Sequence, residues 1–442
     1  MNPASQPSRT PVVLALGVAQ TLAWASSFYL PAMLAAPMSR ELGVAVPTIY
    51  ALLSLALVVS ALLGPLAGRL IDRHGGRPVL MACSGVFAFG LTVLATAQGL
   101  ASLTLAWVLL GVAMGFGLYD AAFAALVRLY GPHARTAITG ITLLAGFAST
   151  VGWPLTAWLE ATWGWRVACG SWALLHLVLA LPLNAMLPRS MRAAPPAVAP
   201  VAAPPAAPPA ARSAVPLAVS DLPVAATAAP AGFPPETAHA DPSAPKVTAR
   251  PSRPGGAREL LLATIFALMS IVSTGVATHL PAVLQAAGAT LAVAVATAAL
   301  MGPAQVAARL VELGLMRRRS PLLTARAAAL GHPVAVALLV ALGPLGALPF
   351  AVVHGLGNGL VTIVRGTLPL ALFGAAGYGA RQGWLTMPAR LLGALAPWLF
   401  GLALARWGLG ALGLSAALAL AAFGGLVLLR LPSEAGRPAA AA

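Results

Sequence analysis

The sequence contains very few charged residues, and acidic residues are the scarcest of these. Asp, Glu, Lys and Arg together make up 8% of the 442 residues, only ten residues are acidic, and Lys246 is the single lysine. A soluble domain normally carries about 25% charged residues. So few charges cannot cover a water-facing surface, so the composition excludes an ordinary soluble protein.

Cysteine and the common catalytic motifs are also scarce or missing. Cys83 and Cys169 show no metal or redox spacing and are expected to be free buried thiols. The seven histidines are scattered without an H-E-x-x-H motif, and no G-x-x-x-x-G-K-[ST] phosphate loop is present. We therefore predict no metal site, no cofactor, no ATP hydrolysis and no enzyme activity.

What the sequence has instead is long apolar runs. Hydrophobic residues make up 59% of the chain and the mean hydropathy is +0.88. The runs are about 20 residues long and do not alternate with period two, which favours transmembrane helices over a barrel. We predict an all-α membrane protein with about twelve helices. They are placed at 11–36, 47–70, 79–98, 102–128, 135–159, 165–187, 259–286, 290–313, 321–342, 345–373, 384–405 and 408–430.

The predicted helices fall into two groups of six. Residues 1–189 should form an N-terminal six-helix bundle, and residues 258–442 a C-terminal bundle with a short tail. Between them, residues 190–257 are rich in Pro and Ala and lack large apolar side chains, which predicts a disordered linker. The linker could be a plain tether or a docking arm.

The basic residues are distributed very unevenly between the two predicted sides of the membrane. If the N-terminus is inside, 21 of the 26 basic residues lie on the inner side and three, Arg40, Arg166 and Arg406, on the outer side. This bias predicts that both termini and the linker are cytoplasmic. We expect a monomer in the lipid bilayer of a bacterial inner membrane. The net charge of +16 therefore reflects orientation and does not indicate nucleic-acid binding.

The two halves resemble each other in sequence. Two similar segments end the second and the eighth predicted helices, here called spans 2 and 8. They are GPLAGRLIDR, from Gly64 to Arg73, and GPAQVAARLVE, from Gly302 to Glu312. Gly115 and Gly117 in span 4 match Gly357 and Gly359 in span 10. This repeat predicts two pseudo-symmetric bundles with a binding site between them, near the middle of the membrane.

The loop after span 2 resembles a family signature. It reads GRLIDRHGGRPVL, and it is similar to the G-x-x-x-D-R-x-G-R-R-x-x-L motif of the major facilitator superfamily. The matching residues are Gly68, Asp72, Arg73, Gly75, Arg77 and Leu80. Gly76 departs from the motif where a second basic residue is common, and Pro78 also departs. The resemblance covers all twelve spans.

This resemblance implies the fold of that superfamily and a gating role for the loop. The motif would hold the two halves together on the inner side and would not bind substrate. Arg309 and Glu312 would form the corresponding gate of the second half. Independently of the family, Gly68 is expected to allow close helix packing and Gly75 a turn.

Charged residues inside membrane spans are costly, so they are the main candidates for function. Asp120 is the only acid well inside a span, and it is either a proton carrier or half of a structural ion pair. Arg365 lies deep in span 10, where a guanidinium can bind a carboxylate or phosphate. Arg390 either lines the same cavity or extends to the membrane surface.

Four further residues are candidates for substrate contact. Gln20 and Trp24 are four residues apart in span 1, which lines the pore in the family that the sequence resembles. His279 lies in span 7, and Asn358 follows His354 by four residues in span 10.

The sequence therefore predicts a secondary active transporter that moves a small organic solute by alternating access. Arg365 and Arg390 favour an organic anion, with protons as the coupling ion through Asp120. An alternative is proton-antiport efflux of a drug or apolar metabolite, which the glycines of span 5 weakly favour. A channel or a transporter-like membrane sensor is a further alternative.

Overall fold

The computed structural model describes residues 8–131, 134–188, 256–314, 320–373 and 378–429. Most of these residues are helical, and they fall within one compact unit. Nearly all of the predicted linker, the C-terminal tail and Arg317 to Arg319 lie outside the described residues. The helices are α1 (Arg9–Ala25), α2 (Pro31–Leu42), α3 (Val46–His74), α4 (Gly76–Ala95), α5 (Leu100–Gly117), α6 (Tyr119–Tyr130), α7 (Ala134–Ala145), α8 (Ala148–Leu175), α9 (Leu181–Ala185), α10 (Ala257–Ala286), α11 (Leu291–Ala299), α12 (Met301–Gly314), α13 (Pro321–Leu342), α14 (Ala347–Phe373), α15 (Tyr378–Trp407) and α16 (Gly410–Leu428).

The helices account for twelve membrane crossings. Nine segments of the described chain are long and apolar enough to cross a membrane. Two of them, Thr136–Ala185 and Pro321–Phe373, have 50 and 53 residues, far more than the roughly 20 that one crossing needs. Each therefore contains two crossings, and α1 with α2 forms one more. The prediction of a twelve-helix membrane protein is confirmed.

The turn between spans 5 and 6 lies inside helix α8. Gly164 has φ 82° and ψ 166°, a backbone conformation that side chains rarely tolerate. The Trp172 indole donates a hydrogen bond to the Thr156 hydroxyl at 3.0 Å. Because these two residues lie equally far from Gly164 on either side, the chain folds back on itself at this glycine.

Spans 1 and 4 are interrupted within the membrane. Span 1 leaves the helical path at residues 26–30, between α1 and α2. Span 4 breaks at Leu118, which has an extended backbone (φ −84°, ψ −167°) between α5 and α6. Backbone breaks at membrane depth are tolerated where protein surrounds them or where they line a cavity. The apolar pattern alone did not predict either break.

The ends of the helices differ in charge. One end of the unit, called here the arginine-rich face, carries Arg9, Arg69, Arg73, Arg77, Arg128 and Arg326. The other end, called the opposite face, carries Arg40, Glu41, Arg166 and Arg406. On the opposite face the Arg166 guanidinium pairs with Glu41 at 2.8 Å, and on the arginine-rich face Arg381 pairs with Glu259 at 2.9 Å.

Small residues in equivalent helices make the same contacts in both halves. A Cβ atom added to Gly111 or Gly115 of α5 would approach the backbone of α3 at Ala56 or Ser60 within 3.2 Å. A Cβ atom added to Gly355 or Gly359 of α14 would approach the α12 backbone at Met301 or Gln305 just as closely. The internal repeat is therefore visible in the packing, because small residues let two helix backbones meet. These contacts make Gly115 the equivalent of Gly359, whereas the sequence comparison paired Gly115 with Gly357. The predicted alignment is therefore shifted by two residues.

Candidate functional site

A cavity of about 300 Å³ lies between the two halves, lined by spans 1, 2, 4, 7, 10 and 11. Such a cavity is large enough for a small organic molecule. Asp120, Arg365 and Arg390 all line it. Small hydroxyl side chains from α3 and α10, namely Ser60, Ser270 and Thr274, also line it. The deep charged residues that the sequence singled out are thus brought together in one place.

Asp120 and Arg390 form an ion pair from opposite halves of the chain. Arg390 Nη1 lies 3.2 Å from Asp120 Oδ2, and Arg390 Nη2 lies 3.4 Å from Asp120 Oδ1. The Arg390 side chain keeps 53% of its surface exposed and the Asp120 side chain 59%. The pair is therefore accessible to water in the cavity, and Arg390 points into the cavity instead of extending to the membrane surface.

The cavity carries an excess of positive charge. Arg365 reaches it from α14 and Arg390 from α15, whereas Asp120 is the single acid among the lining residues. Asp120 and Arg365 occupy similar places in the repeat, since they follow Gly115 and Gly359 by five and six residues.

An aromatic wall forms one side of the cavity. The rings of Trp24 and Phe28 are 5.4 Å apart and meet edge to face. The ring of Tyr119 lies 5.0 Å from that of Trp24 and 5.2 Å from that of Phe123. Aromatic side chains supply apolar contact area with defined geometry. This wall can contact the apolar body of a bound solute.

The cavity is closed toward the opposite face by contacts between the two halves. Leu57, Thr274 and Ala394 line the cavity. Ser54, Thr278 and Trp398, which take part in these contacts, lie about one turn further toward the opposite face on the same helices. The hydroxyl of Tyr50 donates to the carbonyl of Thr278 at 3.4 Å. The backbone N–H of Trp398 donates to the Ser54 hydroxyl at 3.2 Å. We call these residues, together with His279 and Gly401, the opposite-face clasp.

His279 belongs to this clasp and not to the cavity. Its ring lies 3.7 Å from that of Tyr50, and its Nε2 lies 2.8 Å from the carbonyl oxygen of Pro397. The same ring limits the space at Gly401, where a Cβ atom would lie 3.1 Å from His279 Cε1. His279 thus joins span 7 to spans 2 and 11, and the sequence prediction that it contacts substrate receives no support from its position.

Gln20 and Asn358 also lie outside the cavity. The Gln20 amide is buried, lines a small separate pocket inside the first half and donates to the Gly117 carbonyl at 2.6 Å. Asn358 accepts a hydrogen bond from Ser273 and lines a separate, much smaller cavity with His332 and His354. A helical spacing of four residues places Gln20 near Trp24 along the helix, but it does not fix which side chain faces the cavity.

Arg309 holds the two halves together closer to the arginine-rich face. Its side chain is 8% exposed. Nη1 donates to the Thr142 carbonyl in the first half at 2.8 Å, and Nη2 lies 3.5 Å from the Thr362 hydroxyl in its own half. Its Nε has no hydrogen-bond partner among the described residues. Arg309 therefore makes a contact between the halves, and Glu312, one turn further along, is only half-buried.

The loop between α3 and α4 forms the predicted turn but packs differently from expectation. Gly75 has φ 89°, so the turn needs glycine. A Cβ atom on Gly76 would lie 2.3 Å from the Ala125 Cβ, whereas one on Gly68 would meet nothing within 4 Å. The close helix contact expected at Gly68 is thus made by Gly76, which explains why no basic residue stands there.

The charged residues of this loop are largely exposed. The side chains of Asp72 and Arg73 are exposed and that of Arg77 is half-buried. Arg128 of α6 donates to the backbone carbonyl of Asp72. The described residues contain no group of three His, Cys, Asp or Glu side chains that could hold a metal ion.

Sequence reasoning missed several residues of the cavity. Tyr119 precedes Asp120 and follows the break at Leu118, so its orientation depends on a backbone feature that the apolar pattern does not show. Ser270 and Thr274 are one turn apart on α10, and such a polar pair in an apolar span could have been found as a signal. Ser60 has no comparable partner in sequence.

Comparisons with known proteins agree with this architecture. The family model of the Major Facilitator Superfamily matches residues 16–397. A crystal structure of the nucleoside transporter NupG has a TM-score of 0.68 at 12% identity, covering 94% of this chain and 99% of that one. A bacterial homologue of the human lysosomal transporter Spinster, in an inward-facing and occupied conformation, has a TM-score of 0.63 at 15% identity, covering 96% and 95%.

At these identities the two structures establish a shared fold and no more. No curated protein sequence matches the chain significantly. The family match spans most of the chain, including both halves and the loop after span 2. The chain is therefore an integral membrane transporter, not an enzyme, and it belongs to the major facilitator superfamily.

Proposed function

We propose that this transporter moves a small organic anion by alternating access and couples that movement to protons. The observation that carries the proposal is the arrangement of Asp120, Arg390 and Arg365 around one cavity between the halves. Charged groups at membrane depth are costly and are retained mainly where they act on a substrate or ion. An excess of guanidinium groups over carboxylates favours an anionic ligand.

The chemistry of arginine supports a carboxylate or phosphate as the group that is bound. A guanidinium presents a planar set of N–H donors that matches two oxygens of such a group. Arg365 is placed to make this contact, while the aromatic wall of Trp24, Phe28 and Tyr119 covers an apolar part of the solute. The preferred substrate is then an organic anion with a flat or apolar body.

Asp120 would provide the coupling to protons. While it is ionised, its carboxylate occupies both Nη atoms of Arg390. Protonation removes the charge that holds Arg390, which then becomes available to the anion. Binding of a proton and binding of the anion would thus favour each other, as a coupled mechanism requires.

Alternating access would require the two contact sets between the halves to form and break. The opposite-face clasp closes one side of the cavity, and Arg309 connects the halves on the other side through Thr142. We propose that the arginine-rich face is cytoplasmic, following the positive-inside bias, that both termini lie there, and that a monomer in a bacterial inner membrane is the working unit.

The aromatic wall supports a second candidate function. Proton-antiport of an apolar or neutral aromatic solute would use Trp24, Phe28 and Tyr119 for binding and Asp120 for the proton. The similarly folded NupG is described as a nucleoside transporter, so a nucleoside is a suitable neutral aromatic probe.

Transport into proteoliposomes separates these candidates. Purified full-length protein would be tested with an inward proton gradient and radiolabelled phenyl phosphate, which does not cross a bilayer unaided, the neutral solute benzamide, and uridine, with protein-free liposomes as the background. We expect accumulation of phenyl phosphate above that background, abolished by a protonophore, with no accumulation of benzamide. Proton-driven movement of the neutral probes with no movement of carboxylates or phosphates across a wider panel would favour the second candidate.

A further inference from the structure

A second cavity lies on the outside of the first half, away from the site between the halves. It has a volume of about 560 Å³ and is formed by α3, α4 and α5. Its walls are almost entirely apolar, and we call it the α4 groove. The residues that define it are Leu70, Pro78, Ala82, Val86, Val112 and Phe116.

The groove extends from the arginine-rich face into the membrane. His74 and Pro78 lie at its mouth, at the turn between α3 and α4, and Val86 lies at its inner end. The eight helical steps from Pro78 to Val86 span about 12 Å. One leaflet of the hydrocarbon core is about 15 Å thick, so the groove runs along most of it.

Two arginines lie next to the mouth of the groove in sequence. Arg73 precedes His74 and is exposed, and Arg77 precedes Pro78 and is half-buried, whereas Asp72 is the only acid between Arg69 and Pro78. Nδ1 of His74 donates to the Leu70 carbonyl at 3.2 Å, which fixes the ring at the mouth. Basic groups beside an apolar groove at the membrane surface match an anionic headgroup above an acyl chain.

We propose that the α4 groove is a binding site for an anionic phospholipid, with one acyl chain in the groove and the phosphate held by Arg73 and Arg77. The apolar walls take the chain, and the charge at the mouth selects the headgroup. A zwitterionic lipid would fill the groove with the same chain but would gain less from the two arginines.

The floor of the groove connects it with the break in span 4. The Cys83 thiol donates to the Ala113 carbonyl at 3.0 Å, and a Cβ atom on Gly117 would lie 2.3 Å from Cys83 Sγ. Gly117 precedes the break at Leu118, which in turn precedes Asp120. A lipid chain in the groove therefore packs on the helices that set the position of Asp120.

Native mass spectrometry of the full-length protein tests the site directly. Protein would be released from nanodiscs containing equal amounts of dioleoyl-phosphatidylglycerol and dioleoyl-phosphatidylcholine. We expect one phosphatidylglycerol to be retained preferentially on a monomer. Equal retention of the two lipids, or a second copy of the chain in place of a lipid, would overturn the proposal.

Substitutions test the headgroup contact and the acyl-chain groove separately. Arg73→Gln and Arg77→Gln should each lower the preference for phosphatidylglycerol by about fivefold, because a basic residue near an anionic surface contributes on the order of that factor. Arg40→Gln, on the opposite face, is the matched control and should leave the preference unchanged. These arginines are not buried, so folding should be unaffected, and an unchanged preference in both variants contradicts the headgroup assignment.

Ala82→Trp fills the groove and should abolish retention of the lipid, whereas Leu105→Trp, at an exposed position on α5, should not. Val86→Phe serves as a smaller second filling variant if Ala82→Trp does not fold. Full retention of phosphatidylglycerol in a folded filling variant would show that the lipid binds elsewhere.

Discussion

Asp120 on α6 and Arg390 on α15 form a two-pronged ion pair across the cavity, with Arg390 Nη1 3.2 Å from Asp120 Oδ2. They are far apart in sequence and belong to different halves, so the pair joins the two parts that must move during transport. Because each side chain is more than half exposed, the pair contributes little to folding. Its main consequence is to control when Arg390 is free.

The first prediction separates function from stability at this pair. Arg390→Gln should lower the free energy of unfolding by less than about 1 kcal/mol, because exposed ion pairs contribute little. The same variant should lose most anion transport, since Arg390 is proposed to contact the substrate. Thermal unfolding followed by tryptophan fluorescence, alongside proteoliposome uptake, measures both. Normal transport in a folded Arg390→Gln variant would remove Arg390 from the site.

Arg365 should be required as a guanidinium and not simply as a positive charge. Arg365→Ala should abolish anion uptake, and Arg365→Lys should reduce it roughly tenfold or more, because an ammonium cannot make the two-pronged contact. Arg406→Ala, an exposed arginine on the opposite face, is the control and should transport normally. If Arg365→Ala transports anions as the wild type does, the proposed anion site is wrong.

The opposite-face clasp should fail when Gly401 is enlarged. A Cβ atom there already lies 3.1 Å from His279 and 3.7 Å from the Tyr50 Cβ, so Gly401→Leu should prevent the halves from closing. Gly413→Leu on α16 is the matched control, because a Cβ atom there meets nothing within 4 Å. We expect uptake to be lost only in Gly401→Leu. Reaction of an introduced Ser54→Cys with a water-soluble maleimide should rise in that background, and unchanged reactivity would contradict the clasp.

The α3–α4 turn should tolerate substitution at Gly68 but not at Gly76. Gly76→Ala places a methyl group against the Ala125 Cβ and should cost about 1–3 kcal/mol of stability, as overpacking usually does. Gly68→Ala should have no measurable effect on the unfolding temperature. The reverse order of sensitivity would show that the family motif, and not the packing seen here, decides which glycine matters.

The sequence predicted the membrane architecture well, because burial in lipid requires long apolar runs whatever the details of packing. It also identified Asp120, Arg365 and Arg390, since charges at membrane depth are rare enough to be noticed. It could not predict that Asp120 and Arg390 meet, because the relative position of two helices from different halves is not encoded in local spacing.

The sequence also could not predict which side chains of a helix face the cavity, or where a membrane helix is interrupted. Gln20 is buried inside the first half although Trp24, one turn further along α1, lines the cavity, and Tyr119 lines the cavity directly after the extended backbone at Leu118. The expected gating role of Arg309 rests on its position near the end of span 8. Its contact with the Thr142 carbonyl depends on how two helices from different halves pack, and no motif predicts that.

The most direct measurement of proton coupling compares the wild type with Asp120→Asn in proteoliposomes, using an accepted anion. Two assays would be run on each protein: accumulation driven by a pH gradient, and exchange of labelled for unlabelled anion at equal pH on both sides. We expect Asp120→Asn to keep exchange, because Arg390 is released permanently, but to lose accumulation. Accumulation that follows the pH gradient as strongly in Asp120→Asn as in the wild type would contradict it.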